Sequence, residues 1–117
     1  MIGEKIFSIL GPLVDNRVFP SDAPINTQKP YVIWQKIGGE SIATLSGDIP
    51  DKQNSFIQIK VWDSSQLLAS RLAQQIEDTL RTSAEIQASP QNEPIDLREA
   101  DLGLYGTMQD FNIWSQR

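Results

Sequence analysis

NSFIQIKVWDSSQLLASRLAQQIEDTLRT, running from Asn54 to Thr82, changes its hydrophobic period once, and that change decides the fold. From Phe56 to Trp62 the side chains alternate. Ile57, Ile59 and Val61 face one way and Phe56, Gln58, Lys60 and Trp62 the other, the two-residue repeat of a strand. From Leu68 the repeat lengthens. Leu68, Leu72, Ile76 and Leu80 fall at four-residue steps, flanked by Leu67, Ala69 and Ala73, and make a wide apolar stripe on a helix. Its other face carries Ser70, Arg71, Gln74, Glu77, Asp78 and Arg81. Asp63 and Gln66 stand at capping-box spacing, which predicts a helix starting at Asp63.

Upstream, Ile2, Ile6, Ile9, Leu10 and Leu13 recur at helical spacing, and Gly11-Pro12 is expected to end or bend that helix. Asp15 to Pro30, with Pro20, Pro24 and Pro30, reads as a linker within the domain. Tyr31 to Ile37 is β-branched and aromatic and closes on Gly38-Gly39, a strand followed by a turn. Ser41 to Ser46 reads as a weaker strand and Gly47 to Gln53 as an exposed, mobile loop. Downstream, Thr82 to Pro94 reads as a loop, Ile95 to Thr107 as one twisted or bulged strand, and Gln109 to Ser115 as the last strand. The expected fold is α+β, one small domain over residues 1–117 in the order α-β-β-β-α-β-β, with helices packed on a mainly antiparallel sheet.

Composition narrows the function. The chain has no cysteine and no histidine, which removes disulfides, thiolate chemistry, the usual catalytic triads and most zinc sites. A net charge of −5 opposes tight binding to phosphate backbones, and the basic residues are spread too thinly along the sequence to form a cluster. No apolar run approaches the length of about 20 residues that a membrane-crossing helix needs, and no secretory signal opens the chain, so the protein is expected to stay in the cytoplasm where it is made. No P-loop, Gly-x-Gly-x-x-Gly or Gly-x-Ser-x-Gly motif is present. Gly38-Gly39 reads as a plain turn. Glu93, Asp96, Glu99 and Asp101 match no calcium loop and read as solvated charges at a strand edge. A non-enzymatic role without cofactor or metal is expected.

The alternation in the central strand also defines a second sheet face. Strand parity places Phe56, Gln58, Lys60 and Trp62 there, joined by Val32, Trp34 and Lys36 and by Asp110, Asn112 and Trp114, so that all three tryptophans share it. Aromatics mixed with polar groups suit a subunit or partner interface. The competing reading is that the N-terminal helix or the proline-rich segment covers this face. Candidate contacts are Trp34, Phe56, Lys60, Trp62 and Trp114 on the sheet and Asp48, Asp51 and Lys52 in the loop.

Arg17-Val18-Phe19-Pro20, then Ala23-Pro24, then Pro30-Tyr31-Val32-Ile33-Trp34-Gln35-Lys36-Ile37-Gly38-Gly39, and finally Phe56 to Ser64, together resemble the phage tail completion proteins of the tail-to-head joining type. The resemblance spans residues 1 to about 82 in order and continues less specifically into the C-terminal strands. It implies a phage or prophage virion protein at the head-proximal end of the tail, a homo-oligomer forming a hexameric ring that terminates the tail tube. The implied partners are further copies of the chain, the tail tube protein, and a head connector or head completion protein. DNA would be only passing cargo in the channel, with no specific nucleic-acid binding and no membrane. Asp48 to Asp51 and Glu99 to Asp101 are candidates for the channel wall. The 84–94 loop does not map onto a contact of such proteins. A monomeric binding module using the tryptophan face is the alternative.

Overall fold

The computed structural model describes every residue from Met1 to Arg117. The elements run α1 (Ile2–Leu10), β1 (Val18–Pro20), β2 (Tyr31–Gly38), β3 (Lys52–Asp63), α2 (Gln66–Thr82), β4 (Ile86–Pro90), β5 (Ile95–Glu99) and β6 (Leu104–Gln116). The strands form one six-stranded sheet in the order β1-β2-β3-β6-β4, with β5 beside the other half of β6. Only β1 and β2 are parallel, so the architecture is the expected α+β one, with helices on a mainly antiparallel sheet.

Both helices lie on one face. Ile57, Ile59 and Val61 of β3, with Phe111 and Ile113 of β6, meet Ala69, Leu72, Ala73, Ile76 and Leu80 of α2 and Ile2, Ile6 and Leu10 of α1 in one core. The inward stripe of α2 therefore begins at Ala69; Leu67 and Leu68 are 62% and 44% exposed. The helix also starts later than predicted. Ser65 is in extended backbone and its hydroxyl accepts from the Leu68 N–H at 3.2 Å, making it the cap. Asp63 stays in β3 and accepts from the Ser64 N–H at 2.6 Å. Gln66, expected to close a capping box, instead donates to the Gly106 carbonyl and to Asp96 Oδ1, both at 3.1 Å, tying the helix start to the sheet.

Two of the close approaches that require glycine involve the tryptophans. At Gly3 a Cβ would stand 2.8 Å from the Trp34 ring, so its absence lets α1 lie on the indole. At Gly106, opposite Trp62 in the ladder, a Cβ would strike the Val61 carbonyl and come within 2.6 Å of the Trp62 ring.

Four segments differ from the sequence reading. Ser41 to Ser46 is not a strand. A bulge between Lys36 and Gly38 ends the β2 ladder, the Glu40 N–H goes to the Asn54 side chain at 2.9 Å, and Thr44, Ser46 and Asp48 bond among themselves. Those local bonds satisfy groups that a ladder would otherwise use. The linker contains β1, whose three residues pair with Val32, Ile33 and Trp34. The 82–94 segment contains β4, which places Ile86 and Ala88 against the core. Ile95 to Thr107 is a hairpin and not one strand, because a 3-10 turn at Ala100–Leu102 and left-handed Gly103 (φ 63°) reverse the chain.

Candidate assembly interface

Register divides the eight candidate residues into three places. Trp34 pairs with Ile59, which puts it on the helix-covered face against α1. The three tryptophans thus do not share a face: Val32, Trp34 and Lys36 follow Val61, Ile59 and Ile57 to the helix side. Parity within β2 was read correctly, but its phase relative to β3 depends on the pairing, and the sequence does not state the pairing.

Phe56, Lys60, Trp62 and Trp114 do lie on the far face. Trp62 is buried at the end of that face with Tyr31 and Leu104, beneath Phe19 and Ala23 of the proline-rich segment. The Phe19 and Tyr31 rings meet edge to face at 6.4 Å. The segment is held closed by Arg17, whose Nε donates to the Pro30 carbonyl at 2.9 Å while its guanidinium faces Asp15 at 3.6 Å. The proline-rich segment therefore covers part of this face, as the competing reading expected.

The rest of the face is open. Phe56 and Trp114 flank a polar ladder in which Gln58 donates to Asp110 Oδ1 at 3.3 Å and Asn54 to Asn112 Oδ1 at 2.6 Å. Lys60 and Met108 continue it, half-buried. These side chains are pre-set by neighbours, so a partner would meet a surface that needs little further ordering.

Asp48, Asp51 and Lys52 belong to the third place, the far tip of a molecule 53 Å long. The 39–51 connection holds no strand or helix, and it exposes Ile49 and, completely, Leu45. Leu45 falls in the stretch that reads as a weak strand and Ile49 in the one that reads as an exposed loop, so only the fold shows the two aliphatics projecting from one tip.

The same tip holds a polar cleft of about 300 Å³ whose wall includes Lys36, Lys52, Arg117, Glu40 and Asn54. Lys36, Lys52 and Arg117 have no carboxylate within salt-bridge distance. Basic residues that are dispersed in sequence are thus brought together by the fold. A signal was available: Lys36 and Lys52 flank the loop, and a hairpin brings its two flanks together. At the opposite end, Asp96, Glu99 and Asp101 are exposed and form no salt bridge, and no group of carboxylates is arranged to hold a metal ion.

A sheet with one face half open and an apolar loop at its tip defines a small structural protein built for contact with other proteins. Residues 6–116 match the family described as tail completion protein gp17, and the chain belongs to that family. No curated protein matches the chain. It is therefore a structural protein of the phage tail, located in the virion tail, and it interacts with other tail and head proteins. The family is structural, not catalytic. No helix is long and apolar enough to cross a membrane.

Proposed function

We propose that this protein terminates the tail tube and joins tail to head, acting as a hexameric ring at the head-proximal end of the tail. One observation carries most weight. The 39–51 loop projects exposed aliphatic residues from the tip of a rigid sheet, and apolar side chains held in water by a loop are stabilised only when a partner covers them. The ring is built from copies of the chain, the tube protein lies on one side and a head connector or head completion protein on the other. DNA crosses the channel as cargo, which accords with a net charge of −5. Phe56, Lys60 and Trp114 of the open face, with Asp48, Asp51 and Lys52 of the tip, are the contacts in this reading. Trp34 and Trp62 support them from within.

Replacing Thr44 to Ile49 by a short Gly-Ser linker tests the reading. The loop contributes no ladder pair and no core residue, so the melting temperature should stay within a few degrees. Complementation of a phage lacking the protein should fall by orders of magnitude, with separate heads and tails in electron micrographs. Normal yields of joined particles would refute it. A monomeric module using a tryptophan face has less support, since Trp34 packs on α1 and Trp62 is covered.

A further inference from the structure

Two hydrogen bonds tie the 39–51 loop to the end of the sheet. At its exit the Arg117 N–H donates to the Asp51 carbonyl at 2.9 Å, and at its entry the Glu40 N–H donates to Asn54 Oδ1 at 2.9 Å. The other bonds of the loop are internal, joining Thr44, Ser46, Gly47 and Asp48 to one another. The exit bond is backbone to backbone, which almost any sequence supplies. The entry bond needs a side chain. Asn54 is only 3% exposed, and its Nδ2 donates to Asn112 Oδ1 at 2.6 Å and to the Ile113 carbonyl at 3.4 Å. Because the Glu40 N–H can only donate and the Ile113 carbonyl only accept, the amide has one possible orientation. Gly39 shows how closely the loop root lies on it: a Cβ there would strike the Asn54 carbonyl oxygen. In the ladder Asn54 stands opposite Trp114, and Phe56, two residues on, stands opposite Asn112. The amide therefore sits between the loop root and the two aromatics of the open face.

We propose that Asn54 is the positioning residue of the contact surface, fixing the direction in which the 39–51 loop leaves the sheet relative to Phe56 and Trp114. This rests on the reading above that the loop and the open face are contacts. Burial alone does not call for an amide here, since replacing a bonded polar pair by apolar groups of similar shape can be nearly neutral for stability. What an apolar side chain cannot do is hold the Glu40 N–H. Without that bond the loop pivots about its exit root, and a partner must restrict it on binding. A loop already held in place avoids that ordering cost. Asn54 is itself buried, so it acts through the loop and not by touching the partner.

Two variants break the same bond from opposite sides. Asn54→Leu removes the acceptor, and Glu40→Pro removes the donor while Asn54 stays in place; Glu40→Ala, which keeps the N–H, is the reference for the second. Nitrogen-15 relaxation should show residues 41–43 becoming mobile in Asn54→Leu and in Glu40→Pro, with the strands unchanged. Below the melting transition, complementation of a phage lacking the protein should give about tenfold fewer joined particles for each, the equivalent of ordering roughly one residue. The double variant should lose no more than the worse single one. If the Gly-Ser replacement of Thr44 to Ile49 still joins heads to tails, the contact reading itself fails. If that replacement blocks joining while both point variants join normally, the loop is a contact that Asn54 does not position, and the proposal is overturned. A defect of Asn54→Leu that accompanies a lowered melting temperature, leaves the loop unchanged and is absent from Glu40→Pro would make Asn54 a residue of fold stability only and also overturn it. Should Asn54→Leu not fold, Glu40→Pro decides alone.

Discussion

Arg17 performs work that its place in a proline-rich stretch conceals. Its guanidinium bridges Asp15 and the Pro30 carbonyl, and its own carbonyl accepts from the Val32 N–H at 2.9 Å, so one residue closes the 18–30 segment onto β2. Hydrogen bonds to a charged donor contribute about 1.5 to 3 kcal/mol. Arg17→Ala should lower the unfolding free energy by about that amount in urea titration, and Arg17→Lys should recover only part, because an ammonium lacks the planar fork. Beneath the same segment, burial raises the pKa of the Tyr31 phenol above its ordinary value of 10.0. The folded state then keeps a proton that the unfolded chain gives up. This contribution is intact below about pH 10 and declines as pH rises from there through the higher folded value. Tyr31→Phe should flatten the fall in urea midpoint as pH rises above about 10; an unchanged slope there would show that the alkaline loss comes from other groups.

Among the elements, β3 and α2 were legible in sequence because their patterns are local: alternation over Ile57, Ile59 and Val61 needs no knowledge of a partner. The strands β1 and β4, three and five residues long, were not. They exist because β2 and β6 offer unpaired edges, a property of distant residues. Trp34 was misplaced for the same reason, and so was the basic cleft, whose members come from β2, β3 and the end of the chain. The phase of α2 lay between these cases. Four-residue steps marked Leu68, Leu72, Ile76 and Leu80 as equals, yet the helix turns its buried stripe through Ala69 and Ala73. Leu72→Ala should therefore cost about 2 to 5 kcal/mol of unfolding free energy, and Leu68→Ala within about 0.5 kcal/mol. Equal costs would show that the stripe includes Leu68.

For the whole molecule, stability and contact are kept apart. The aliphatic core lies between the helices and one sheet face, while the loop at the tip projects into water and contributes nothing to that core. Substitutions at the tip should consequently change assembly without changing folding, which is the separation that the loop replacement measures. The family resemblance in the sequence rested on Arg17 to Pro20, Pro30 to Gly39 and Phe56 to Ser64, and family membership extends to residue 116. Much of that stretch is scaffold: Arg17 and Pro30 close the linker, and Ile57 to Val61 fill the core. The contact surfaces were harder to read because they lie in loops and in pairs of residues brought together only by folding.

The β3/β6 ladder pairs Lys52 with Gln116 at one end and Asp63 with Tyr105 at the other, nearly the full length of the molecule. Its hydrogen bonds run across the strands. Tension applied along the long axis would load these bonds in parallel, so that rupture requires the whole row to slip together, whereas tension across the sheet would open them one at a time. A protein standing at a mechanical joint would hold best when oriented with β6 along the line of pull.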